Sequence, residues 1–234
     1  MRKFWISTQL RLRKLTRLTK VRIDGVRIDI APEYTPKFIA RAILDKAYEG
    51  PERAIVKRVL RPGMAVVEIG AGLGVVGLVA ARLARDGSVT SYEANPDLES
   101  IIRHNYSLNR IAPTLNMRAV TSDGQPITFY RDDNIVSSSL LNRDTDAVPI
   151  VVESVRFRDI VANKKPDVLI MDVEGAEVSL LSETNLEGIH HIIAELHPHI
   201  VGKDVIDQLI KTVEGMGFYV EEQIKMTVHF QRSV

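Results

Sequence analysis

Six side chains able to do chemistry stand at or just past the ends of short apolar runs in this chain: Glu68, Glu93, Asp172, Glu174, Glu195 and His197. After the first run come three alternating glycines, Gly70, Gly72 and Gly74. Glycine takes backbone angles that other residues avoid, and without Cβ it lets a ligand come close to the main chain. Residues 75–83 are apolar and of helical length, so residues 66–77 read as a strand, a tight turn and a helix start. A helix start offers free N–H groups and a partial positive charge. The unit is that of a nucleotide-type cofactor site.

Two cofactors fit the glycines. Gly72-Leu73-Gly74-Val75-Val76-Gly77 satisfies the dinucleotide pattern G-x-G-x-x-G, with Glu93 near the acidic position about 20 residues on. In the other register the unit is Glu68-x-Gly70-x-Gly72-x-Gly74, which resembles motif I of S-adenosylmethionine-dependent methyltransferases. Its apolar strand stops at Ile69, Gly70 is the first turn residue, and Gly77 falls inside the helix. Glu68 at the strand end would repel a pyrophosphate and suits a cationic amino-acid ligand. S-adenosylmethionine (SAM) has no phosphate and presents an ammonium and a sulfonium. The second register is therefore favoured, with Glu68, Gly70, Gly72, Gly74, Glu93 and Asp172 as cofactor-binding residues. Glu93, placed to accept both ribose hydroxyls, serves either register. An NAD-dependent oxidoreductase is the alternative, without an evident second substrate domain.

SAM carries an activated methyl group, so the protein must align a nucleophilic atom behind it and remove a proton. His197 ranks first as the base. Asp172 is the second candidate, acting directly or by orienting the histidine, because a carboxylate of ordinary pKa is a weak base. Glu174, nearer the strand end than Glu177, joins them as a catalytic candidate, and Glu177 reads as an acid favoured by a helix N-terminus. His190, His191, His199 and His229 have no assigned role. Oxygen and imidazole ligands at Asp172, Glu195 and His197 suit Mg²⁺ or Mn²⁺, but nothing in the spacing demands a metal, and none is expected.

The elements that must hold these groups follow from periodicity. Asp24-Gly25 between alternating segments predicts a hairpin in which Ile23 faces Val26 and Val21 faces Ile28. Residues 36–60 read as two helices separated by Gly50-Pro51. Strands are expected at 64–69, 88–92, 115–120, 167–171 and 189–196, with a closing pair at 218–223 and 226–231. Helices are expected at 96–108 and 204–216. Residues 121–160, with strands at 127–130 and 148–157, form an insertion suited to substrate contacts. The alternation indicates a parallel α/β sheet with helices on both faces, whose strand carboxyl ends share one ligand-binding edge.

Composition narrows the class. The chain of 234 residues can bury a full core, and 45% hydrophobic with 26% charged residues is ordinary for a soluble globular protein. It has no cysteine, which excludes disulfides, thiolate metal sites and a cysteine nucleophile. Charge is uneven: residues 1–27 hold nine lysines and arginines against Asp24 alone, while the rest is acidic. The basic arm has no secretory-signal core, and no run is long enough to span a membrane. Residues 1–30 are expected to form an arm and hairpin, and residues 31–234 the catalytic domain, in the cytoplasm. The arm alone raises a nucleic-acid methyltransferase or binder as a further alternative. The acidic body disfavours it, and no nucleic-acid partner is expected.

Glu68-x-Gly-x-Gly-x-Gly, Tyr92-Glu93-Ala-Asn-Pro96, the Ser137-Ser138-Ser139 cluster, Asp172-Val-Glu174-Gly175-Ala-Glu177 and Glu195-Leu-His197 occur in an order that resembles FkbM-type methyltransferases. The resemblance runs from about Tyr48 to His199 and leaves out the basic arm. It implies a SAM-dependent O-methyltransferase acting on a hydroxyl of a sugar or other small molecule. It also implies a Rossmann-like seven-stranded sheet with its last strand antiparallel. The family commonly carries Asp where this chain has Glu68.

Overall fold

The computed structural model describes residues 8, 18–131, 148–183 and 185–233. The hairpin forms as expected, β1 (Lys20–Ile23) pairing with β2 (Val26–Asp29) in the register Val21 to Ile28 and Ile23 to Val26. Its turn places Asp24 at φ 46° and Gly25 at φ 89°, the left-handed angles that a two-residue hairpin needs. Ile23 and Ile28 are buried in the main core, and the Asp24 carboxylate accepts from Arg53 and from Lys57 at 2.8 Å. The hairpin is thereby tied to the helices that follow, α1 (Lys37–Leu44) and α2 (Gly50–Val59). Gly50-Pro51 does not separate these helices. Pro51 sits in the first turn of α2, where its missing N–H costs nothing.

The chain continues through β3 (Val66–Ile69), α3 (Val75–Ala84), β4 (Val89–Tyr92), a 3-10 turn (Pro96–Leu98), α4 (Glu99–Ser107) and β5 (Thr114–Asn116). Next come β6 (Ala119–Thr121), β7 (Ile127–Arg131), β8 (Val148–Val152), β9 (Ser154–Arg156) and α5 (Phe157–Lys164). Then follow β10 (Val168–Met171), α6 (Glu177–Glu183), β11 (His191–Glu195), α7 (Pro198–Val201), α8 (Lys203–Gly215), β12 (Phe218–Ile224) and β13 (Thr227–Arg232). The central sheet has seven strands in the order β12-β13-β11-β10-β3-β4-β5. Only β13, the last in sequence, runs against its neighbours. This is the doubly wound sheet that the sequence implies.

Successive strand residues point to opposite faces. Val66, Val168, Ile170 and Ile193 pack with the hairpin and α1–α4 on one side. Val67, Leu169, Met171 and Ile192 pack with α5, α6 and α8 on the other. Strands buried on both faces read as continuous apolar runs, which is why they are visible in the sequence. The order reverses at β3, whose neighbours β4 and β10 lead to crossovers on opposite faces, and a crevice at the carboxyl ends of such strands is the usual ligand position. Among the described residues no helix is long and apolar enough to cross a membrane.

Two further expectations need correction. The third strand, expected at 115–120, is two short strands: the chain bends at Arg118, and β6 leaves the sheet to pair in parallel with β9. The strand expected at 148–157 is β8 and β9, and Phe157 opens α5 instead. Phe157, Ile160 and Val161 carry the helical spacing, and all three are buried against the sheet. Because Phe157 is 0% exposed, Phe157→Ala is expected to lower unfolding free energy by about 3–5 kcal/mol in a denaturant titration. Residues 132–147 of the insertion, including the serine cluster, lie outside the described residues.

Candidate cofactor and acceptor site

The glycine turn joins β3 to α3, and Gly74 stands at the N-terminus of that helix. Gly70 has φ 88°, and a Cβ on it would overlap the backbone carbonyl oxygen of Asp172. The turn after β3 and the turn after β10 thus touch through main chain alone, a contact only glycine allows. Glu93, at the end of β4, holds the turn from the other side. Its Oε2 accepts the Gly72 N–H at 2.9 Å, and its Oε1 accepts the Asn95 N–H at 2.8 Å. Burial raises its pKa against the pull of these N–H groups.

Glu68 lies deeper than the sequence suggests. It is 1% exposed, and its carboxylate accepts from the Ser91 hydroxyl and from the Gly77 N–H. Burial pushes its pKa up to about 8 against these two hydrogen bonds, with Glu93 adding to the rise. Gly77, inside the helix as expected, leaves room for this carboxylate, because a Cβ there would collide with it. The side chain clamps the first turn of α3 from beneath.

The other half of the site is built by β10 and β11, parallel neighbours whose ends carry Asp172 and His197. His197 is 3% exposed, and one ring nitrogen faces each of two acids. Nε2 lies 3.5 Å from Asp172 Oδ1, and Nδ1 lies 3.2 Å from Glu177 Oε1. Glu177 is fully buried, and it also accepts the N–H groups of Val173 at 2.9 Å and Gly175 at 2.8 Å. Burial works to lower the His197 pKa. The hydrogen bond and charge of Glu177, then the charges of Asp172 and Glu174, outweigh it and hold the imidazole up to about 9. Burial and Glu195 push Asp172 well above the usual carboxylate range, while His197 pulls it down. Burial and Glu52 bring Glu195 up to about 7.

The structure therefore gathers Asp172 and His197 as expected and adds Glu177, which sequence reasoning ranked below Glu174. Glu174 sits on the turn at φ 53° and acts on His197 and Asp172 through its charge. The ligand atoms of Asp172, Glu177 and His197 lie within 4.8 Å of one another, so the metal-type cluster contains Glu177 where the sequence suggested Glu195. The imidazole stands between the two carboxylates, and the oxygens of Glu177 already hold the backbone of its own turn. Two further residues escape the sequence reading. Tyr48 is buried with its hydroxyl beside Glu49 and the Leu73 N–H, and Glu49 faces Gly72 across the turn.

A strand, a glycine turn and acids at four strand ends are shared by more than one kind of enzyme, and sequence similarity decides between them. The family model described as the methyltransferase FkbM domain matches residues 68–220, more than half of the chain. The chain belongs to the FkbM methyltransferase family. The match opens on Glu68 and takes in Glu93, Asp172, Glu174, Glu177, Glu195 and His197. No curated protein matches the chain.

Solved structures of low sequence identity share the fold. A chain of the fibrillarin/Nop5p complex is 11% identical at a TM-score of 0.51, with 92% of this chain and 98% of that chain covered, which shows the shared fold. TYW2 of M. jannaschii, solved with AdoMet, is 16% identical at a TM-score of 0.49, over 92% of this chain and 87% of that chain. The tRNA (uracil-54, C5)-methyltransferase of Pyrococcus abyssi, solved with S-adenosyl-L-homocysteine, is 16% identical at 0.49, over 92% of this chain. The chain spans 44% of that enzyme's length.

Proposed function

We propose that this FkbM family member transfers the methyl group of SAM to a hydroxyl oxygen of a sugar or other small molecule. The observation that carries the proposal is the main-chain contact of Gly70 with Asp172. It sets the turn suited to a cofactor directly beside a histidine held between two acids. Proximity of this kind converts methyl transfer into an intramolecular alignment problem. The residues present fit SAM: a glycine turn that admits close approach, a helix N-terminus, and Glu93 at the end of β4 holding the Gly72 N–H. When bound, SAM supplies the methyl electrophile. Glu68 serves by shaping the turn.

The chain's own task is to accept a proton. Asp172 Oδ1 is buried without a hydrogen-bond partner, and its side chain is 35% exposed against 4% for His197. Asp172 therefore meets the acceptor hydroxyl, and His197 stands behind it. This reverses the order of preference read from the sequence. In the deprotonated pair the acceptor proton passes to Asp172 and on to Nε2, leaving an imidazolium between two carboxylates. A pKa near 9 makes that imidazole a stronger base than a free one. The acids at this rim repel phosphate, which supports an uncharged hydroxyl acceptor over a nucleic acid.

Calorimetry tests the cofactor half. Wild-type protein is expected to bind SAM in the micromolar range, about −8 kcal/mol, and Glu93→Ala should weaken that binding. Tight NAD binding without SAM binding would overturn the assignment.

A further inference from the structure

We propose that Glu49 is a cofactor-binding residue whose carboxylate receives the ammonium group of SAM. The inference rests on the SAM reading above. It adds a residue that lies outside residues 68–220, the segment that marks the family.

Glu49 precedes α2 and holds φ 46°, a left-handed angle that a non-glycine residue adopts at a cost. Strain of this kind persists where the surrounding structure or function requires it. The residue occupies the N-cap position, yet its side chain makes no cap hydrogen bond. It turns to the glycine turn instead: a Cβ on Gly72 would lie 3.0 Å from Glu49 Oε1 and 3.1 Å from the Tyr48 hydroxyl. Tyr48 is fixed there by the Leu73 N–H and in turn hydrogen-bonds Glu49. The second carboxylate oxygen, Oε2, is buried and has no hydrogen-bond partner. An orphaned buried acceptor costs free energy that a cap or a salt bridge within the fold would have avoided.

The electrostatics point to the missing partner. Burial, then the charges of Glu68, Glu52 and Asp172, push the Glu49 pKa well up. The three charges named here are all acids. A cation that arrives with the ligand would satisfy Oε2 and offset the like-charge crowding. SAM brings such a cation at its amino-acid end. Glu93 holds Gly72 on the β4 side, where the ribose belongs, and Glu49 feels Asp172 on the β10 side. Ribose and ammonium are then received at opposite sides of one turn.

The test compares ligands that keep or lack the ammonium. Titration calorimetry of the full chain would use SAM, decarboxylated SAM, which keeps the ammonium, and 5′-methylthioadenosine, which lacks the amino-acid end. Glu49→Gln is expected to weaken SAM at least ten-fold and to leave methylthioadenosine unchanged. Wild type should bind decarboxylated SAM at least ten-fold more tightly than methylthioadenosine, which lacks both the ammonium and the sulfonium, and Glu49→Gln should remove most of that difference. SAM affinity within two-fold of wild type in Glu49→Gln, or equal losses for both ligands, would overturn the role of Glu49 while sparing the SAM reading. Equal wild-type affinity for decarboxylated SAM and methylthioadenosine would do the same. Failure of wild type to bind any of the three would overturn the SAM reading itself, and this inference with it.

Discussion

Gly70→Ala is expected to reduce SAM affinity at least a hundred-fold. Two costs combine at this position. The backbone stands at φ 88°, which an alanine adopts only with strain of about 1–3 kcal/mol. The new methyl group would also occupy the space of the Asp172 carbonyl oxygen. That oxygen belongs to main chain just past β10 and has no rotamer in which to move aside. Relief requires the turns after β3 and β10 to separate. Separation displaces the cofactor turn and Asp172 together, so the loss exceeds the strain alone. Gly188→Ala is the control. Gly188 has a similar angle, φ 85°, with open space where a Cβ would go. It should carry a strain penalty in a denaturant titration and leave SAM binding intact. Calorimetry of the two variants, with circular dichroism to confirm that both fold, separates contact from strain. SAM affinity within a few-fold of wild type in Gly70→Ala would refute the role given to this junction.

What could be read from the sequence depended on how far apart the cooperating residues lie. The strand–turn–helix unit and the Asp24-Gly25 hairpin are local, and their chemistry is written in adjacent residues. The sheet strands are legible because burial on both faces makes them continuously apolar. Glu177 shows the limit. Its position in the chain suits a helix N-terminus, and only the curl of the 173–175 turn brings its carboxylate back to those N–H groups and onto His197. Glu49 shows another. Nothing near residue 49 in the sequence indicates that α2 packs beside the glycine turn. The end of β8–β9 failed for a third reason, since β-branched residues that alternate run directly into the helical spacing of Phe157, Ile160 and Val161.

His197→Ala is expected to lower turnover by about 10²–10⁴ while leaving SAM affinity near that of wild type, the signature of an interaction used in the chemical step. Asp172→Asn should do the same, because the acceptor proton then has no route to the imidazole. The pH dependence follows from the same geometry. Below about 9 the Asp172–His197 pair holds its proton, and the apparent value belongs to the pair as a unit. Turnover should therefore rise with pH through about 9. Glu177→Gln removes the charge and weakens the hydrogen bond that chiefly raise the imidazole, so the limb should move to lower pH and the base should weaken. The same shift has a sign for stability. A histidine raised from 6.5 to about 9 stabilises the fold fully below pH 6.5, and this contribution is lost as pH rises through about 9. Turnover should be insensitive to chelator. Loss of activity with chelator and recovery with Mg²⁺ or Mn²⁺ would instead assign the cluster of Asp172, Glu177 and His197 to a metal. Normal turnover in both His197→Ala and Asp172→Asn would remove the pair from the mechanism and move the search to the serines of the 121–160 insertion.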